Sequence, residues 1–481
     1  MTTTLPALKY GTVTHWIAGA PHPGRGDRLP VPNPASGEPI AETPLADGAT
    51  VNQAVAAARK AFPEWAGRPL KERVQVFYKY RSLLEAHRTE LARLITEEHG
   101  KLESEATAEI DRAIELAEFA CALPQFATGE VLEVSRGVEC RIERYPLGVV
   151  ASIAPFNFPV MVPHWTIPNA IALGNCLILK PSERVPLSAM RAAEMLAEAG
   201  VPAGVFSVVH GARATVEAIC DHDAIEAVTF VGSTPTAQAV YRRATSHLKR
   251  ALALGGAKNH LVVLPDADPA TTPAAVLGSV VGCAGQRCMA ASVIVAVPRT
   301  DPLLDEVVRL ARAAVPGEDY GPVISSVARD RIERAIEEAV SAGARLLVDG
   351  RGRAPAGQEN GFWIGPTIID QVEPHMTIAR EEIFGPVMAI MRVGSLDAAL
   401  ELQRQSPYGN AASIFTRDGP AARRLMEQAS AGMIGVNVGV PVPREPFSFG
   451  GWNASKFGAG DITGKSAIEF FTKAKKTTAR W

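Results

Sequence analysis

Cys288, in Ala284-Gly285-Gln286-Arg287-Cys288-Met289-Ala290, carries the most distinctive chemistry in this chain. Only a thiolate attacks a carbonyl carbon quickly. A free thiol ionises near about 8.5, so a working nucleophile needs a nearby cation or helix N–H groups. Arg287 supplies a neighbouring charge, and Ala284 and Gly285 are small enough for close backbone approach. Read alone, such a cysteine is better explained as a small core residue, the role that suits Cys283. No second Cys/His pair stands at ligand spacing, so Cys283 and Cys288 do not read as a metal site.

Asn157, bracketed by Pro155, Phe156, Phe158 and Pro159, offers a rigidly held amide. A tetrahedral oxyanion formed on Cys288 needs donors, which an Asn amide and the Cys288 backbone N–H can supply. In isolation it reads as an ordinary turn asparagine. Leu179-Lys180-Pro181-Ser182-Glu183-Arg184 ends a buried strand with a cation, a capping serine and a carboxylate. There Lys180, Glu183 and Arg184 could bond the ribose hydroxyls of an adenosine, and Glu183 would repel a 2′-phosphate, favouring NAD over NADP. A solvated turn with an N-cap explains the same motif equally well. Gly232 and Ser233, in Phe230-Val231-Gly232-Ser233-Thr234, follow a strand and open a helix whose N–H groups could face a pyrophosphate. Without a G-x-G-x-x-G fingerprint that signal is weak. Arg112 has Glu109 and Glu115 three residues away on either side, so on local sequence it reads as a surface ion pair.

The elements that would position these residues are legible in the periodicity. Turn-rich Pro21 to Asn33 suggests a β-hairpin region, and Ala49 to about Leu123 is helical, with Gly100 closing one helix and Glu103 to Ala122 forming another. Val149–Ala154, Cys176–Leu179, Val205–Val209, Ala227–Val231 and Leu261–Leu264 read as short buried strands, with helices at Leu187–Ala199 and Thr236–Ser246. Such alternation predicts a parallel, doubly wound sheet that binds a nucleotide at its carboxyl edge. Further helices are expected at Pro269–Gly282, Pro302–Ala314 and Arg329–Ala342, with strands at Val293–Val297 and Arg345–Val348 and a surface loop at Arg351–Gly361. In the tail, Ile468, Phe470 and Thr472 alternate before Lys473, Lys475 and Lys476, predicting an edge strand or one that pairs with another subunit.

A chain of 481 residues exceeds a single core, so two or three domains are expected. Forty-nine Lys+Arg against 51 Asp+Glu leave a net charge of −2, which implies neither nucleic acid nor an acidic membrane as partner. Met1 to Pro6 has no basic or apolar signal pattern, and apolar Val149 to Leu179 carries too many prolines and asparagines for a bilayer span. Six cysteines without dense even spacing fit reduced thiols in a cytoplasmic enzyme.

Together the motifs resemble the aldehyde dehydrogenase superfamily along nearly the whole chain, to Trp481. Glu381-Glu382-Ile383-Phe384-Gly385-Pro386 matches that family's cofactor-ribose motif, and Cys288 and Asn157 fall on its nucleophile and oxyanion positions. Ile153 to Pro159, Gly256-Ala257-Lys258-Asn259-His260, Gly285 to Ala290, Gly435-Val436-Asn437 and Val440-Pro441-Val442-Pro443 look most like the CoA-acylating methylmalonate-semialdehyde dehydrogenases. The resemblance implies an α/β fold with a Rossmann-like NAD-binding domain (1–125 and 147–254) and an α/β catalytic domain (255–450). It adds a small β oligomerisation element (126–146 and 465–481) in a homodimer or homotetramer. It implies NAD held by Ala154, Phe156, Lys180, Glu183, Arg184, Gly232, Ser233, Gly255, Glu382 and Phe384. It also implies that Arg112 and Arg287 hold the carboxylate of a small semialdehyde, with no metal involved.

Hydrolytic relatives carry a glutamate before Leu-Gly-Gly, whereas Ala253-Leu254-Gly255-Gly256 offers none. Without that base water attacks a thioester slowly, and coenzyme A becomes the natural acyl acceptor. The expected activity is therefore oxidative decarboxylation of methylmalonate or malonate semialdehyde to propionyl- or acetyl-CoA. A CoA-independent hydrolytic dehydrogenase and a non-catalytic scaffold are the alternatives. Three departures from the family pattern stand out: Ala237 and Gly255, which bear on cofactor geometry, and a short segment over Val297–Gly321.

Overall fold

The computed structural model describes residues 8–481, so the reading of residues 1–6 lies outside the described residues. An eight-stranded sheet runs in the order Ala20–His22, His15–Ile17, Phe206–Val208, Cys176–Lys180, Val149–Ile153, Ile225–Val231, Arg250–Leu254, Lys456–Phe457. Its five central strands are parallel, and the outer strands add antiparallel. Val149–Ile153 and Cys176–Lys180 are buried at every position, as strands covered on both faces must be. From Val149–Ile153 the chain first adds strands on one side, through Cys176–Lys180 to Phe206–Val208. It then crosses to add Ile225–Val231 on the other. That reversal opens a crevice at the carboxyl ends of Val149–Ile153 and Ile225–Val231.

A seven-stranded sheet follows in the order Arg345–Val348, Thr367–Asp370, Val387–Arg392, Val293–Ala296, His260–Val263, Ala411–Phe415, Met433–Val436. All its pairings are parallel except that of Arg345–Val348. A third, antiparallel sheet joins Thr472–Arg480 to Val138–Pro146 and Val138–Pro146 to Glu130–Ser135. No described helix is long and apolar enough to cross a membrane.

Three expectations about elements are corrected. The tail alternation does not form one strand: Ser466–Phe471 is helical, with Ile468 and Phe470 buried, and the strand begins only at Thr472. Ile468 and Phe471, three residues apart, share a buried face on a single helical turn, and period two over so few residues mimics that pattern. The N-terminal turn region holds two hairpins rather than one, His15–Ile17 with Ala20–His22 and Arg28–Pro32 with Pro39–Pro44. The long helix extends past Ala122, running from Glu103 to Phe126.

Candidate active site

A cavity of about 1300 Å³ lies where the carboxyl end of the first sheet faces loops of the second. Ala154, Phe156, Asn157, Lys180, Glu183, Gly232, Ser233, Gly255, Arg287, Cys288, Glu382 and Phe384 all line it. Arg112 and Arg184 do not. Arg184 is exposed at the turn beyond the strand, away from the cavity wall.

Cys288 is half-buried, and burial, then the charge of Glu382, pushes its thiol up to about 12. Its carbonyl oxygen accepts from Asn259 Nδ2 and from Asn410 Nδ2, each at 2.8 Å. The sequence points to Asn259 only within the Gly256–His260 motif and to Asn410 not at all, because neither stands near Cys288 in sequence. The turn leading to the thiol holds Cys283, Ala284 and Gly285 at φ of 51°, 53° and 69°. Left-handed backbone at the two non-glycine residues costs on the order of 1 kcal/mol each. Glu105 Oε1 offsets part of that strain by accepting from Cys283 N at 2.6 Å. A Cβ on Gly285 would lie 2.1 Å from the Gly385 carbonyl oxygen, so only glycine lets this turn seat against the Glu382–Pro386 segment.

Asn157 is buried, and its Nδ2 donates to the Gln286 carbonyl at 3.0 Å. One amide hydrogen is thereby committed and the second remains for an oxyanion. Its own carbonyl accepts from Lys101 Nζ at 2.8 Å, and Lys101 pairs with Glu109 at 2.6 Å, both side chains fully buried. Glu109 Oε1 further accepts from Val160 N at 2.7 Å and Met161 N at 2.9 Å. Sequence reasoning missed this pair by assigning Glu109 to Arg112. The available signal was a carboxylate on the helix stripe Ala106, Ile110 and Ala113, all of them buried.

Glu382 Oε1 accepts from Ala257 N at 3.0 Å. Burial pushes its carboxyl up to about 7, against the pull of that N–H, Lys258 and Arg331. A Cβ on Gly256 would stand 2.4 Å from Glu382 Oε2, and one on Gly255 would stand 2.9 Å from the Ala454 carbonyl oxygen. Ala237 is fully buried outside the cavity wall, so that departure leaves the cavity intact. Lys180 Nζ pairs with Glu183 at 3.1 Å. Burial alone would raise the Glu183 carboxyl, but Lys180 and backbone donors hold it below its ordinary value.

Both candidate carboxylate-binding arginines already have acidic partners. Arg287 Nη2 is 3.1 Å from Glu105 Oε1. Arg112 pairs with Glu115, as its spacing predicts, and also with Glu445 at 3.2 Å.

A parallel sheet that switches direction beneath a cavity holding a cysteine, an amide donor and a glycine-lined carboxylate defines a nucleotide-dependent, thiol-based oxidoreductase. The aldehyde dehydrogenase family model matches residues 22–477, and the chain belongs to that family. It is 45% identical to the malonate-semialdehyde dehydrogenase of Pseudomonas aeruginosa, over 98% of this chain and 97% of that protein. Malonate-semialdehyde dehydrogenase 2 of Geobacillus kaustophilus is 44% identical over the full length of both. Among solved structures, the methylmalonate-semialdehyde dehydrogenase of Oceanimonas doudoroffii superposes with a TM-score of 0.96 at 44% identity, covering 98% of each chain. A Sinorhizobium meliloti structure complexed with NAD matches equally well, with a TM-score of 0.96 at 41% identity and 98% of each chain covered.

Proposed function

We propose that this chain is an NAD-dependent, CoA-acylating dehydrogenase of small carboxylated semialdehydes. It would convert malonate or methylmalonate semialdehyde to acetyl- or propionyl-CoA with loss of the carboxylate. The observation that carries this reading is the convergence of Cys288 and Asn157 on one cavity while buried Ala253 supplies no base. The names of the relatives at 44–45% identity support the substrate class.

The residues present fit a dinucleotide. Lys180 and Glu183 stand at a strand end for an adenosine ribose, Gly232 and Ser233 open the helix Thr234–Ser246, and Gly255 and Gly256 leave a cradle that side chains would fill beside Glu382. Bound there, NAD supplies the hydride acceptor. Cys288 attacks the aldehyde carbon, and the free amide hydrogen of Asn157, with the Cys288 N–H, stabilises the oxyanion. Loss of hydride from that carbon leaves a thioester on the sulfur. The carboxylate then departs as carbon dioxide, or with water as bicarbonate, because the thioester carbonyl delocalises the charge left behind, and a proton from solvent converts that enolate to the acetyl or propionyl thioester. The CoA sulfur takes the acyl group and Cys288 recovers its thiol.

Following NADH from malonate semialdehyde with and without CoA, with products identified by mass, tests this. One turnover followed by a stall without CoA is expected, and steady release of free acid would overturn it. One observation favours a hydrolytic alternative: Glu382 shares the cavity, and a carboxyl near 7 could serve water as a base. Its Oε1 accepts from Ala257 N, which leaves Oε2 alone for that role, and steady free-acid release without CoA is the result that would favour it. Six free cysteines accord with a cytoplasmic setting, and the exposed Val131, Leu132 and Val134 on the edge strand Glu130–Ser135 support a homo-oligomer.

A further inference from the structure

Two asparagines from separate elements meet on one backbone oxygen. Asn259 immediately precedes the strand His260–Val263 and Asn410 immediately precedes Ala411–Phe415, strands that pair in parallel in the second sheet. Both side chains are buried, and each sends Nδ2 to the Cys288 carbonyl at 2.8 Å. Two donors engage both lone pairs of that oxygen, which fixes the plane of the Cys288–Met289 peptide. Asn259 is itself pinned: its Nδ2 also reaches the Ala290 carbonyl at 3.0 Å, and its Oδ1 accepts from Ala411 N at 3.0 Å. Asn410 Nδ2 otherwise meets only Met289 Sδ, at 3.1 Å, among the described side-chain hydrogen bonds.

In a trans peptide the N–H points opposite to the C=O. With the Cys288 oxygen turned to the asparagines, the Met289 N–H is turned the other way. That N–H and the one of Cys288 favour the ionised sulfur, against burial and the Glu382 carboxylate. The guanidinium of Arg287, next in the chain, is engaged by Glu105. Donors on a carbonyl polarise its peptide and strengthen the N–H at the far end. We propose that Asn259 and Asn410 are positioning residues for the nucleophile, a two-amide grip on the Cys288 carbonyl that aims the Met289 N–H at Cys288 Sγ and steadies the thiolate as it forms. This rests on Cys288 as the attacking group of the reaction argued above. The support comes from an oriented peptide, at a place where the adjacent cation is already committed.

The test compares full-length wild type, Asn410→Leu and Asn410→Ala without cofactor, with iodoacetamide as the probe and labelling of the Cys288 peptide read by mass. Both variants lose the donor, and Asn410→Ala adds no bulk should leucine not fit. At pH 8 each is expected to alkylate roughly three- to tenfold more slowly, because the thiolate becomes scarcer while each one that forms is somewhat more reactive. A side chain that merely fills space predicts the opposite sign, since a loosened site exposes the thiol and speeds its reaction. Unchanged or faster alkylation in either variant, with urea midpoints showing it folded, would overturn the proposal. With NAD and malonate semialdehyde, the NADH burst at saturating aldehyde should fall by a similar factor while KM stays put. Free acid released steadily without CoA would sink the acyl-transfer reading and leave slower alkylation standing, whereas alkylation at the wild-type rate would sink only the role of the asparagines.

Discussion

Lys101 Nζ bridges Glu109 Oε2 at 2.6 Å and the Asn157 carbonyl oxygen at 2.8 Å, and none of the three is open to solvent. The backbone that carries the oxyanion donor is thus fastened by a buried ion pair from outside its own loop. Replacing Lys101 with Met should leave the Glu109 carboxylate buried and unpaired, costing about 3–5 kcal/mol in urea unfolding. Pairing that change with Glu109→Gln, which removes the charge but keeps an acceptor for Val160 N and Met161 N, should recover much of the loss. A single variant as stable as wild type would show that Glu109 finds another partner.

The amide of Asn157 has one hydrogen on Gln286 and one free. Asn157→Ala should slow the NADH burst by roughly 10²–10³-fold, the scale of one lost oxyanion donor. Stopped-flow absorbance checks this, and a loss under tenfold would place the oxyanion elsewhere.

With the Cys288 thiol pushed up to about 12, alkylation by iodoacetamide in the cofactor-free protein should keep rising through pH 10 instead of levelling near 8.5. The Glu382 charge contributes to that rise, and Glu382 itself ionises near 7. Glu382→Gln should therefore alkylate faster than wild type at pH 9. Below about pH 6, where the native carboxyl is already neutral, the two rates should converge.

His15 and His210 stack at 5.8 Å between centroids, both fully buried, with His210 N donating to His15 Nδ1. Burial lowers His15 to about 4 and His210 to about 3. Because the unfolded chain takes up these protons near 6.5, stability is complete above that pH and falls as acid is added. By pH 4 each should have forfeited about 3 kcal/mol. Denaturant midpoints between pH 7 and 4 test this, and His15→Phe should flatten the slope.

Four of the five parallel strands of the first sheet were legible because they are continuous apolar runs such as Val149–Ile153, ended by Pro, Gly or charge, whereas Arg250–Leu254 was missed and the strand expected at Leu261–Leu264 lies in the second sheet. Four strands of the second sheet were not. Thr367–Asp370, Val387–Arg392, Ala411–Phe415 and Met433–Val436 alternate with the helices Thr377–Arg380, Leu396–Arg404 and Gly419–Gln428, and apolar runs this short cannot be told from buried helix by period alone. At the site, the cavity gathers twelve of the fourteen residues expected there, because each sits in a local motif. What escaped was long-range. Lys101 lies 56 positions from Asn157, Asn410 lies 122 from Cys288, and Glu445 lies 333 from Arg112. No window of sequence spans such distances, and only packing reveals them.

The contact of Gly285 with the Gly385 carbonyl makes the sulfur-bearing turn and the acidic clamp a single mechanical unit. A shift of one by even an ångström must be transmitted to the other, since no side chain intervenes to absorb it. Whatever tightens or loosens the grip of Glu382 would thereby re-aim Cys288, coupling occupancy of one end of the cavity to reactivity at the other.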